Sequence, residues 1–77
     1  MRVEEALLEA LCRRGPLGFQ ELYREARKLL PSLSREEARL ALAELVRKGL
    51  VARVERHEER RLVFRAEPPA CRGETTA

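Results

Sequence analysis

Apolar residues recur at helical spacing through the first part of the chain. In RVEEALLEALCR (2–13), Val3, Leu7, Ala10 and Leu11 share one face while Glu4, Glu5 and Glu9 lie off it, which predicts an amphipathic helix. Gly15-Pro16-Leu17-Gly18 stops that helix and turns the chain. FQELYREARKLL (19–30) repeats the pattern with Phe19, Leu22, Ala26, Leu29 and Leu30, and Pro31 ends it. Only Ser32 and Leu33 follow before the next helix.

The third helix has a defined start. Ser34 and Glu37 are spaced as a capping box, in which the hydroxyl accepts from the backbone N–H three residues on and the carboxylate reaches back to the cap. Leu33 and Ala38 occupy the staple positions. The helix is predicted over 34–48, with Arg47 and Lys48 in its last turn and Gly49 as its stop. At about 100° per residue, Ala38, Ala41, Leu42 and Leu45 make the buried stripe. Glu36, Arg39, Leu40, Ala43, Glu44 and Arg47 lie opposite, with Glu37 at their edge. The period then changes to two. Leu50–Glu55 and Arg61–Ala66 read as strands with Val54, Leu62 and Phe64 inward, and Arg56-His57-Glu58-Glu59-Arg60 links them as a hairpin. The expected class is α+β, mostly α: a domain over 1–66 of three helices and a two-stranded hairpin. Residues 67–77, EPPACRGETTA, have no pattern and read as a flexible tail.

Composition narrows the picture. The chain has 77 residues, enough for one small domain, and 44% hydrophobic against 38% charged residues, so it is expected to fold. No apolar run approaches the roughly 18 residues of a membrane span. The opening Met-Arg-Val-Glu-Glu is acidic and periodic, unlike a secretory leader, so a cytoplasmic location is expected. Cys12 and Cys71 lack metal-like or redox-like spacing and read as a buried small residue and an incidental tail thiol. His57 is the single histidine, so no zinc set can be built and no metal or cofactor is expected. The formal net charge is +3, and residues 19–49 and 50–66 each carry an excess of two positive charges, a modest pull toward a polyanion. Arginine outnumbers lysine 14 to 2, and Asn, Asp and Ile are absent. That bias suits a thermophile, and a GC-rich genome would produce it as well.

Three stretches, ALLEALCRRGPLGFQELYREA, LSREEARLALAELVRKGLVARV and RRLVFRA, together resemble the winged helix-turn-helix over residues 3–66. Leu-Ser, Leu42, Leu45 and Lys-Gly-Leu-Val fall at its offsets. The chain is similar to small bacterial repressors of the penicillinase-repressor, PadR and MarR kind. The resemblance implies a DNA-binding transcriptional regulator, with helix 34–48 in the major groove and the wing, 50–66, on the backbone. Ser34 and Arg35 at the helix start, Arg39 as base reader, and Arg47 are the candidates on the helix. Arg56, His57, Arg60 and Arg61 are the candidates around the wing. Arg24, Arg27 and Lys28 on the second helix would add phosphate contacts, and Tyr23 reads either as core or as a phosphate contact.

The reader helix carries features that pull the other way. Glu36 and Glu37 complement the helix dipole, each by ~0.3–1 kcal/mol, and occupy an end that would otherwise receive a phosphate. Leu40 and Ala43, with the stems of Arg39 and Arg47, read as a small apolar patch. The alternative is therefore a winged-helix protein-interaction or dimerisation module that does not read DNA. The expected partners are double-stranded DNA, or a second copy or protein partner, with no membrane and no small-molecule substrate. The resembled repressors carry extra helices for dimerisation. Here a dimer would use helix one, the wing edge strand or the Leu40 face. An enzyme is not expected, because the chain has no Gly-rich phosphate loop, no nucleophile–base set and no evident carboxylate pair in a cleft.

Overall fold

The structure, a computed structural model, describes residues 1–71. Its elements are α1 (Val3–Arg14), β1 (Leu17–Gly18), α2 (Phe19–Leu29), α3 (Arg35–Arg47), β2 (Val51–Arg56), β3 (Arg61–Ala66) and α4 (Pro68–Cys71). The class is α+β, mostly helical, with four helices and one small antiparallel sheet ordered β1-β3-β2.

The three long helices start in the same way. A glutamate in the first turn reaches back to the N–H of the cap residue: Glu5 to Arg2 at 2.9 Å, Glu21 to Gly18 at 3.2 Å, and Glu37 to Ser34 at 3.0 Å. Only at α3 does the cap side chain reciprocate, with Ser34 Oγ accepting from the Glu37 N–H at 3.1 Å. The end of α3 is set by Gly49 at φ 82°, a left-handed position. There the Leu50 N–H donates to Leu45 O and the Gly49 N–H to Val46 O, both at 3.0 Å, closing the last turn.

In the helices, the core is built from the faces the periodicity predicts. Leu7, Leu22 and Leu45, one from each long helix, have no accessible surface, and Leu11, Leu33, Leu42, Val51 and Phe64 pack around them. Ala6, Ala10, Ala26 and Ala38 are also buried, and such short side chains let helix backbones approach closely. Among the described residues, no helix is long and apolar enough to cross a membrane.

Three features differ from the sequence expectation. Leu17 and Gly18, read as turn, pair with Phe64 and Val63 as a third strand. Two residues have no detectable period, so this strand exists only because β3 offers it an edge. Leu62, expected inward, is 38% exposed, whereas Val63 is 6% exposed. Leu62 sits opposite Glu55 toward the end of the hairpin. Val63 lies on the central strand, flanked by Val54 and Gly18 on its neighbours, so Val54, expected inward with Phe64, lies on the opposite face and Val51 takes its place in the core. The third correction concerns the cysteines. Cys12 and Cys71 form a disulfide across 59 residues, with Cα atoms 5.7 Å apart, inside the range such a bond requires. The first residues of the expected tail are therefore placed. The Glu67 N–H donates to Leu50 O, the Ala70 N–H to Glu67 O, and α4 returns the chain to α1. The rest of that tail, 72–77, lies outside the described residues.

Candidate nucleic-acid interface

Arg35 and Arg39 stand one turn apart on α3, on the flank that meets α2. Phe19 and Tyr23 stand one turn apart on α2, with their rings 6.1 Å apart and 8° from parallel. The arginines lie over these rings. Arg39 is 5.2 Å from the Phe19 centroid, and Arg35 and Arg27 are 5.1 and 5.7 Å from that of Tyr23. Such contacts stabilise by about 0.5–1 kcal/mol each at exposed sites and restrict otherwise mobile side chains. Arg35 also donates to Gln20 Oε1 at 3.1 Å, and Arg27 to Pro31 O at 3.1 Å. The Tyr23 hydroxyl donates to Leu33 O at 3.2 Å, tying α2 to the turn that leads into α3. Tyr23 thus serves as partial core and as support for two guanidinium groups.

The ion-pair pattern divides the surface. Arg13, Arg14, Lys28, Arg47, Lys48, Arg56, Arg61 and Arg65 each pair with a glutamate. Among the described residues, Arg2, Arg24, Arg27, Arg35, Arg39, Arg53 and Arg60 pair with none. Three of these, Arg27, Arg35 and Arg39, gather over the α2 rings and make that flank cationic, whereas Arg2, Arg53 and Arg60 lie at the start of α1 and on the hairpin.

The other predicted residues fall elsewhere. Ser34 is engaged as the cap of α3, and Ser34→Ala should lower stability by about 1 kcal/mol in a urea melt. Arg47 makes two hydrogen bonds to Glu44, one from Nε at 3.3 Å and a shorter one from Nη2. The Arg47 guanidinium holds the Glu44 carboxyl below its ordinary range, and Glu44 in turn raises Arg47. Their charges largely cancel on the outer stripe of α3. Arg61 reaches α2: its Nη2 lies 3.0 Å from Glu21 Oε1 at the start of that helix. The Gly18 N–H and then Arg61 hold the Glu21 carboxyl below its ordinary value. A side chain at Gly18 would place its Cβ 2.9 Å from Arg61 Nη2, so the glycine keeps this approach open.

At the hairpin, Arg56, His57, Arg60 and Arg61 line one open hollow of about 370 Å³ with Glu55 and Leu62. Arg56 lies 4.0 Å from Glu59. Arg60 is exposed, at φ 52°, and among the described residues it has no carboxylate partner. Leu40 is 66% exposed and, with Val3 and Ala41, lines a groove between α1 and α3. Ala43 instead lines a groove with Val46, Leu62 and Phe64. The two residues proposed as one apolar patch thus border separate depressions. Among the described residues, no group of three His, Cys, Asp or Glu side chains could hold a metal ion.

Sequence reasoning did not pick out Phe19 and Gln20. The spacing Phe19-x3-Tyr23-x3-Arg27 is a helical stripe that was available as a signal. Its pairing with Arg35 and Arg39 depends on how α3 packs. Comparison of the chain with protein-family models, curated proteins and solved structures finds no match.

Proposed function

We propose that the domain is a winged helix-turn-helix that binds double-stranded DNA in transcription control. The observation that carries this reading is the group of Arg27, Arg35 and Arg39 over the α2 rings, with Arg24 on the same helix as Arg27. These four guanidinium groups lack carboxylate partners among the described residues, and three lie over the Phe19–Tyr23 pair. Cations already free of ion pairs lose no internal salt bridge on meeting phosphate, and their partly fixed side chains lose less entropy. In this reading the first turns of α3 enter the major groove, and Arg39, held beside Phe19, reaches a guanine edge. Arg35, Arg24 and Arg27 lie against the backbone, and Arg60 on the wing reaches a flanking phosphate. Glu36 and Glu37 keep the affinity modest. The disulfide and the amide-poor, Arg/Glu-rich composition suit a cytoplasmic protein of a hyperthermophile, where intracellular disulfides persist.

A fluorescence-anisotropy titration against a mixed-sequence duplex at two salt concentrations tests the reading. Neutralising four phosphates should give a log–log salt slope of about −3.6. Arg35→Ala combined with Arg39→Ala should weaken binding by roughly tenfold or more, and Arg60→Ala should flatten the slope by about 1. Absence of binding at low salt, or a double variant that binds like the parent, removes the proposal. The exposed Leu40 favours a second reading, a protein-docking domain, for which no duplex binding is expected.

A further inference from the structure

We propose that the free edge of β2 pairs with the β2 of a second copy of this chain, in antiparallel register centred on Val54. In the sheet order β1-β3-β2, one side of β2 meets β3 and the other meets no strand among the described residues. The hydrogen-bonding phase is set by one contact. Val51 lies opposite Ala66, so Leu50 lies opposite Glu67, and the Glu67 N–H donates to Leu50 O at 2.9 Å. Even-numbered residues of β2 therefore bond to β3. Val51, Arg53 and Glu55 direct their N–H and C=O groups off the sheet. Such a row of unsatisfied groups is a template for another strand, and β2 has neither a proline nor a bulge to prevent it.

Charge selects the partner and the register. Arg53 and Glu55 are exposed, share one face of the strand, and take part in no ion pair among the described residues. In an antiparallel self-pairing, residues directly opposite must both direct their backbone groups at the partner or both direct them away, so the register moves only in matched steps. Centring on Arg53 sets arginine opposite arginine, and centring on Glu55 sets glutamate opposite glutamate. Centring on Val54 places Arg53 opposite Glu55 of the second copy, and the two-fold axis repeats that pair. Cross-strand pairs of opposite charge stabilise a ladder and like pairs oppose it. On the other face the two Val54 side chains meet beside Val63. The edge is short, well below the ~800 Å² per partner of a stable interface, so the dimer is weak and concentration-dependent. This inference does not use the arginines assigned to DNA.

Sedimentation velocity on the full, disulfide-bonded chain from roughly 10 µM to 1 mM tests it. The parent should move toward twice the monomer mass as concentration rises. Arg53→Glu and Glu55→Arg each create two like-charge pairs and should weaken association by roughly tenfold or more. The double exchange, Arg53→Glu with Glu55→Arg, should restore it. Glu55→Pro, which removes an outward N–H without reversing a charge, should also leave a monomer. Thermal melts of each variant establish that it is folded, and any one folded variant suffices for comparison with the parent. A parent that stays monomeric to 1 mM overturns the proposal. So do folded single variants that associate like the parent, or a folded double exchange that stays monomeric.

Discussion

Reduction of the Cys12–Cys71 disulfide should lower the unfolding free energy by about 2–4 kcal/mol. The bond joins positions 59 residues apart, so it closes nearly the whole chain into one loop. On the loop-closure account, a crosslink of that span removes about 4 kcal/mol of conformational freedom from the unfolded state. The lower end of the range allows for structure retained in the reduced unfolded chain. A domain of this size has a total stability of only about 5–10 kcal/mol, so the crosslink is a large fraction of it. At roughly 4–8 °C per kcal/mol for a small domain, the midpoint should fall by at least about 8 °C. Thermal melts followed by circular dichroism, with and without a phosphine reductant, measure this. Cys12→Ser with Cys71→Ser should match the reduced chain. An unchanged midpoint after thiol titration has established full reduction would show that docking of α4 on α1 holds without the bond.

Leu45→Ala should cost about 3 kcal/mol, within the 2–5 kcal/mol seen for buried leucines. Leu45 has no accessible surface and lies in the core cluster that joins α3 to α1 and α2. Truncation removes its transfer free energy and leaves a cavity that the surrounding leucines fill only in part. The loss is comparable to that of the disulfide, and the two together should remove most of the domain's stability. Leu40→Ala is the control on the same helix. Its side chain is 66% exposed, so the change should stay within about 0.5 kcal/mol. Urea melts of the two variants should therefore separate widely at unchanged m-value. Equal midpoints would contradict the packing described for α3.

In the α2–α3 flank, the contacts proposed for DNA depend on helix packing. Leu45 and Leu42 seat α3, Ser34 and Glu37 fix its start, and Tyr23 holds the turn before it. Those contacts determine that Arg35 and Arg39 stand over the α2 rings. A variant that loosens α3 should thus lose the arginine arrangement before the whole domain unfolds.

Much of the fold was legible in the sequence because the signals are local. Pro31, Gly49 and the Ser34–Glu37 pair act within a few residues of where they stand, and the periodic leucines mark which helix faces must be buried. The candidate site was legible only in part. Arg35 and Arg39 were singled out as DNA contacts on a helix, but their support on Phe19 and Tyr23 was not.

The sequence by itself determined three long helices with their inward faces, and a hairpin, because backbone propensity and side-chain period are properties of neighbouring residues. Tertiary structure alone decided the Leu17–Gly18 strand, the exposure of Leu62 in place of Val63, and the Cys12–Cys71 bond. It also decided that Arg61 lies against Glu21, 40 residues away, while Arg39 has no such partner among the described residues. Each of these pairs residues far apart in the chain. Which distant side chains meet depends on how the helices pack, and no local pattern carries that information.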